Sequence, residues 1–307
     1  MKQIVTVDKP YSYEQLCNDI EQLEKQYFNI LEVEVIGRSV EERPIYAMKL
    51  GEGSTEIFLN GAHHAREWLT AALLMKMVEK YCAAYYRQAD IMGFQVNSLL
   101  SKAAIWFVPM VNPDGVTLVQ QGAQAVKQPE KVLKMNLGDP DFSAWKANVR
   151  GVDLNRQYPA DWESIENAAE HPGAMNYKGV CPLSEPEAKA IYQFTKKHDF
   201  KISVAYHSSG EELYWKYKAT GELLETTRRI AKKIQKKTGY QLVDPGANPS
   251  GGGFTDWVLS VLKKPALTPE ISPYIGPRPV PLENFPVIWQ QNDSIGLLLA
   301  EEAIRIQ

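Results

Sequence analysis

The sequence predicts a single α/β domain over residues 1–307, a mixed, mostly parallel sheet of about eight strands sandwiched between helices. Three observations point there. Short apolar runs alternate with helical patterns along the whole chain, as strand–helix units require. Two of these runs, Ile57–Leu59 and Ile105–Val111, are nearly all apolar, as expected of central strands covered on both faces. No repeat, low-complexity stretch or Pro/Gly/Ser-rich linker divides the 307 residues, a length that suffices for a sizeable core.

The elements follow in order. Residues 12–27 open with Ser12 and Glu14 and place Leu16, Ile20 and Leu23 at helical spacing. Strand-like runs come next at Val33–Ile36, Ile45–Leu50 and Ile57–Leu59, then a long helical pattern from about Trp68 to Tyr86, then Ile105–Val111. Residues 116–149 and 158–182 read as long irregular loops rich in Pro, Gly and Asn, which in a compact domain carry function or cover a site. Ser184-Glu185-Pro186-Glu187 reads as a capping box with Pro in the first helical turn. A strand from Lys201 to Tyr206 ends at His207. A helix over Glu222–Lys237, a strand near Tyr240–Val243, a helix after Gly253, a strand over Ala266–Ile271 and a final helix from about Pro286 complete the chain.

Composition narrows the function. Apolar content of 44% and charged content of 23% are those of a soluble globular enzyme. A net charge of −3 gives no electrostatic case for nucleic acid or an anionic membrane. No apolar run approaches a membrane span, and the polar first thirty residues carry no signal-peptide pattern, so a cytoplasmic location is expected. Cys17, Cys82 and Cys181 are too few and too scattered for a disulfide framework or a thiolate zinc cluster. Six basic residues between Arg228 and Lys237 crowd one helix and read as a solvated outer face.

The chemistry-bearing residues are sparse, and each taken singly is a weak signal. His64 and Glu67 stand three apart after an apolar strand, a spacing that lets an imidazole and a carboxylate reach one metal ion. His63 competes for the same role at a less favourable spacing. His207 closes another apolar strand, where open α/β sheets place their sites. Two His and one Glu leave zinc a fourth position for water, the arrangement of a catalytic site. Glu270, at the end of a further apolar strand, is the natural general base.

Together these residues bring a family into view. Gly61-Ala62-His63-His64-Ala65-Arg66-Glu67-Trp68 closely resembles the zinc-site signature of the zinc metallocarboxypeptidases. In order follow Asn112-Pro113-Asp114-Gly115, Gly151-Val152-Asp153-Leu154-Asn155-Arg156, Tyr206-His207-Ser208, Ser250-Gly251-Gly252 with Asp256-Trp257, and Thr268-Pro269-Glu270. The matches span residues 11 to 300. The resemblance implies the carboxypeptidase-like fold, one zinc per chain held by His64, Glu67 and His207, and Glu270 as base. It further implies Asp153 orienting His64 and Asn155 and Arg156 holding a substrate carboxylate, for which a guanidinium fork is suited.

Three positions depart from the digestive members. Lys146 stands where they place an arginine that polarises the scissile carbonyl, with Arg150 as a nearby substitute. Their mobile tyrosine is replaced by the stretch Gly246-Ala247-Asn248-Pro249. Thr255, on the floor of the specificity pocket, is small and polar, which disfavours a large apolar side chain and lacks the acid that takes a basic one. The chain most resembles the bacterial branch that cleaves γ-D-glutamyl–diaminopimelate bonds in cell-wall peptides, through Trp145-Lys146-Ala147-Asn148, Asn155-Arg156-Gln157-Tyr158 and residues 207–215. The expected activity is zinc-dependent hydrolysis of that bond. The rival expectations are an ordinary carboxypeptidase, a silent peptide-binding homologue and a small-molecule deacylase.

Overall fold

The computed structural model describes residues 3–246 and 249–306. Ala247 and Asn248, part of the stretch Gly246-Ala247-Asn248-Pro249 expected to stand in for a mobile tyrosine, lie outside the described residues. The strands are β1 (Leu31–Arg38), β2 (Pro44–Leu50), β3 (Thr55–Gly61), β4 (Ala103–Val108), β5 (Ile202–Ser208), β6 (Glu212–Tyr214), β7 (Gln241–Val243) and β8 (Ala266–Ile271). Among the described residues they form one eight-stranded sheet in the order β1-β2-β4-β3-β5-β8-β6-β7. The central β4, β3, β5 and β8 are mutually parallel, β1 and β2 pair antiparallel at one edge, and β6 joins β8 antiparallel near the other.

The helices are α1 (Tyr13–Tyr27), α2 (Leu69–Arg87), α3 (Val96–Leu100), α4 (Pro113–Gln121), α5 (Pro129–Met135), α6 (Pro186–Lys197), α7 (Gly221–Thr238), α8 (Phe254–Trp257), α9 (Phe285–Asn292) and α10 (Ile295–Ile304). Alternation along the strands sorts the core into two layers. Ile57, Leu59, Val204 and Leu267 pack with Leu16 of α1, Leu73 and Met77 of α2 and Leu297 of α10. Phe58, Ala205 and Ala266 face the other way, onto Ile191 and Phe194 of α6 and Phe254 and Trp257 of α8. All six residues of β4 are buried, as its apolar run requires.

Several elements differ from the sequence expectation for local reasons. The stretch 116–149 is not wholly irregular, since it holds the rest of α4, whose start is capped by the Asn112 side chain, and all of α5. Ser184 does not cap α6. Its hydroxyl donates instead to Gln157 Oε1, which also accepts from Glu185 N, so a loop glutamine orders this helix entry. Pro186 does sit in the first turn of α6. The final helix is two helices, broken where Asp293 turns aside to meet Lys80 at 2.5 Å and Lys237 at 3.0 Å. Strand β6, three residues long, is not among the expected strands.

The basic face of α7 is more than a solvated surface. Arg229 and Lys233 both reach Glu302 of α10, which is fully buried, and Arg228 lies over the Trp215 ring at 5.6 Å. The three cysteines are free. No helix among the described residues is long and apolar enough to cross a membrane.

One buried acid makes stability pH-dependent. Glu187 of α6 accepts from Val40 N at 3.2 Å and Asn148 Nδ2 at 3.3 Å. Burial, then the nearby Asp114 and Glu185 charges, push its carboxyl up from 4.5 to about 8. An acid raised in the fold holds its proton more tightly there than when unfolded. Its contribution is therefore present below about pH 4.5 and lost as pH climbs through about 8. Glu187→Gln is expected to gain stability over the native protein at pH 9 and little at pH 5, by on the order of 3 kcal/mol in urea unfolding. An equal gain at both pH values would show that Glu187 does not titrate.

Candidate metal centre

The site forms where β3 ends. A Cβ on Gly61 would meet Thr70 Oγ1 at 2.9 Å and Pro109 O at 3.1 Å, so the chain leaves the strand hard against α2. Ala62 then takes a positive φ of 50°, and its N–H donates to Thr70 Oγ1. A 3₁₀ turn over Ala65–Glu67 follows, and its tight pitch brings His64 Nδ1 to 2.8 Å from Glu67 Oε1. Asn112 braces this turn from the next strand end: its Nδ2 donates to the carbonyls of His63 and Ala147, and its Oδ1 accepts from Gly115 N. Ala65 N donates to Lys146 O, tying the Lys146 loop to the same corner.

His207 completes the set from β5. Its Nδ1 lies 2.8 Å from Glu67 Oε2 and 3.0 Å from His64 Nδ1. One donor atom from each of the three residues falls within 4.8 Å of the others, and all three residues are buried. Two imidazole nitrogens facing each other across one carboxylate suit a shared divalent cation, and two His with one Glu is a donor set that zinc accepts. Asp153 Oδ1 sits 3.2 Å from His64 Nε2, which fixes the proton there and aims the Nδ1 lone pair inward. Burial alone would raise the Glu67 carboxyl, but the two flanking imidazoles hold it well below the ordinary range. Asp153 is likewise held low against burial by Lys146, then His64 and Arg156.

His63 points elsewhere. Its Nε2 pairs with Tyr158 Oη at 2.8 Å, behind the metal ligands, and burial lowers its pKa well below 6.5. That partner resolves the ambiguity between the adjacent histidines in favour of His64.

Glu270 lies on β8 directly opposite His207. It is partly open to a cavity of about 430 Å³ that is also lined by His64, Arg66, Glu67 and Lys146. Burial, then the Glu67 charge, raise its carboxyl to about 8, with Lys146 opposing. Lys146 Nζ stands 3.2 Å from Asp153 Oδ2, close enough for an ion pair though not aligned as a hydrogen bond. Arg150 is half-exposed, pairs with Glu185 at 3.6 Å and lines other cavities. Of the two cations, Lys146 therefore faces the candidate metal ligands.

Asn155, Arg156 and Thr255 gather at a neighbouring edge and do not line that cavity. Asn155 Oδ1 accepts from Phe254 N, and Arg156 Nη1 donates to Asn155 O. Gly252, at φ +81°, lies so close to the Arg156 backbone that a Cβ would come within 3.2 Å of its Cα and clash with Ile165 at 2.5 Å. Thr255 Oγ1 is 2.8 Å from Thr268 Oγ1, two residues before Glu270 on the same strand face. That pair links the edge to the strand that carries Glu270. Sequence reasoning missed the brace at Asn112, the Tyr158 partner of His63, and Glu212, which lines the cavity beside Glu270. Only the first left a signal, an N-cap Asn before Pro.

The family model described as zinc carboxypeptidase matches residues 16–277. The chain is 35% identical over 302 residues to gamma-D-glutamyl-L-diamino acid endopeptidase 1 of Lysinibacillus sphaericus, covering 97% of this chain and 73% of that one. It is 27% identical over 242 residues to human mast cell carboxypeptidase A, covering 74% and 54% respectively. The structure of bovine thrombin-activatable fibrinolysis inhibitor, in complex with tick carboxypeptidase inhibitor, superposes with a TM-score of 0.76 at 20% identity, covering 97% of this chain and 99% of that one, a likeness of fold. The chain belongs to the zinc carboxypeptidase family and is a zinc metallopeptidase.

Proposed function

We propose that this peptidase hydrolyses the amide bond between γ-D-glutamate and meso-diaminopimelate in bacterial cell-wall peptides. The observation that carries this reading is 35% identity across 97% of the chain to a relative named for that class of bond. His64, Glu67 and His207 would hold zinc, which supplies Lewis acidity to a carbonyl and makes water a better acid. Asp153 keeps the His64 proton on Nε2. Glu270 takes a proton from the attacking water and passes it to the departing amine. Lys146 offers positive charge where the carbonyl oxygen becomes anionic, without the fork of an arginine. Asn155 and Arg156 position a carboxylate of the departing diamino acid, and Thr255 with Thr268 gives its side chain a small polar wall.

The test compares L-Ala-γ-D-Glu-meso-diaminopimelate with benzoylglycyl dipeptides ending in Phe or Lys. Release of diaminopimelate is expected with kcat/KM at least about 100-fold above either dipeptide, a margin that polar recognition supplies. Cleavage of the dipeptides with the cell-wall peptide left intact would make the protein an ordinary carboxypeptidase instead.

A further inference from the structure

We infer that Glu212 is a specificity-determining residue, receiving the side-chain ammonium of the residue on the departing side of the scissile bond. The inference rests on the peptidase reading of the site and deepens it, by making the departing residue a diamino acid for a structural reason.

Strand β6 runs antiparallel to β8 with Glu212 opposite Glu270, Leu213 opposite Pro269 and Tyr214 opposite Thr268. Residues directly opposite in an antiparallel pair project from the same sheet face. Leu213 is fully buried in the core, which sends Glu212 and Tyr214 to the face that carries Glu270. His207, Glu270 and Glu212 therefore form one row across three adjacent strands. Glu212 lines the same cavity as the metal ligands, Lys146 and Glu270.

The Glu212 carboxylate is uncompensated. It accepts one hydrogen bond, from the Tyr214 hydroxyl at 3.2 Å, and among the described residues no Lys, Arg or His lies within ion-pairing distance. Acids elsewhere on the surface do find cations, as Asp161 finds Lys218 and Asp244 finds Lys216. The residue directly opposite on the paired strand is another carboxyl group and not a cation. An amine entering the cavity supplies the missing cationic partner.

The row also gives the direction. Glu270 delivers its proton to the departing amine, so the departing residue lies on the Glu270 side of the ligands. Glu212 is one strand further along the same line. Tyr214, 40% exposed, and the Thr255–Thr268 pair border that edge and leave it polar. Thr255 brings no acid to the pocket floor. The structure supplies one from β6 instead.

The experiment measures kcat/KM of the zinc-loaded protein for L-Ala-γ-D-Glu-L-lysine and L-Ala-γ-D-Glu-L-norleucine, which share the acyl half and differ in the ammonium. Lysine is expected to be preferred by about 30-fold, the equivalent of a charged hydrogen bond of about 2 kcal/mol. In Glu212→Gln the preference is expected to fall below about threefold. The lost charge also alters the field at Glu270, but that acts on both substrates alike and cancels in the ratio. A wild-type ratio near one, or a ratio kept in Glu212→Gln, overturns the assignment. If neither γ-D-glutamyl peptide is cleaved, the proposed bond is wrong, and benzoylglycyl-lysine against benzoylglycyl-norleucine reads Glu212 independently. If those too stay intact, the calorimetric Kd values of the four uncleaved peptides give the ratio, and no lysine preference in binding overturns the assignment.

Discussion

Glu270→Gln is expected to lower kcat by about 10³-fold, the usual contribution of a positioned general base, with zinc content unchanged. The residue stands opposite His207 yet outside the set of atoms that converge on one point, so its loss leaves the ligands intact. Glutamine keeps the size and one acceptor oxygen of the side chain and removes its charge and its capacity to take a proton. The loss should fall on kcat and kcat/KM together, because the proton transfer belongs to the transition state. A variant with full turnover would take Glu270 out of the mechanism.

The same residue is expected to set the acid limb of the pH profile. Its carboxyl is raised to about 8 by burial and then by Glu67, with Lys146 pulling it down. A base must be ionised to act, so kcat/KM rises as pH climbs through its pKa. A cation held by His64, Glu67 and His207 adds to the pull of Lys146 and places the limb below about 8. The residual activity of Glu270→Gln should lack that limb.

The central sheet and the candidate metal site were legible because each depends on a short local pattern. An all-apolar run such as that of β4 can only be a covered strand or a buried helix, and its length decided between them. The spacing of His64 and Glu67 is a weak signal alone, and it gains weight from His207 and Glu270 at the ends of apolar runs and from the ordered motifs around them. What stayed hidden was set by pairing between distant segments. Nothing in the polar pair Glu211-Glu212 shows that a three-residue strand will place Glu212 beside Glu270. Whether Lys146 or Arg150 turns inward depends on Ala65 holding the Lys146 carbonyl and on Glu185 drawing Arg150 away. The break before α10 depends on two lysines, Lys80 and Lys237, that converge on Asp293 from other helices. Such contacts carry no periodicity to read.

Glu67→Ala is expected to reduce bound zinc to background and activity to the limit of detection. Glu67 accepts from Ser208 N at 3.2 Å and touches both ligand imidazoles, each at 2.8 Å. Without it, two ligands remain where a catalytic zinc site uses three. The Ser208 N–H also loses its acceptor, a loss of about 1–3 kcal/mol where no water replaces it. Fold damage and metal loss are separated by thermal unfolding with and without zinc. The native protein should gain about 4 kcal/mol at free zinc a thousand times the Kd, and Glu67→Ala should gain almost nothing. Glu67→Gln keeps the volume and one oxygen but not the charge, and should fold like the native protein while binding zinc weakly. A Glu67→Ala protein that retained native zinc content and turnover would place the metal somewhere other than between His64 and His207.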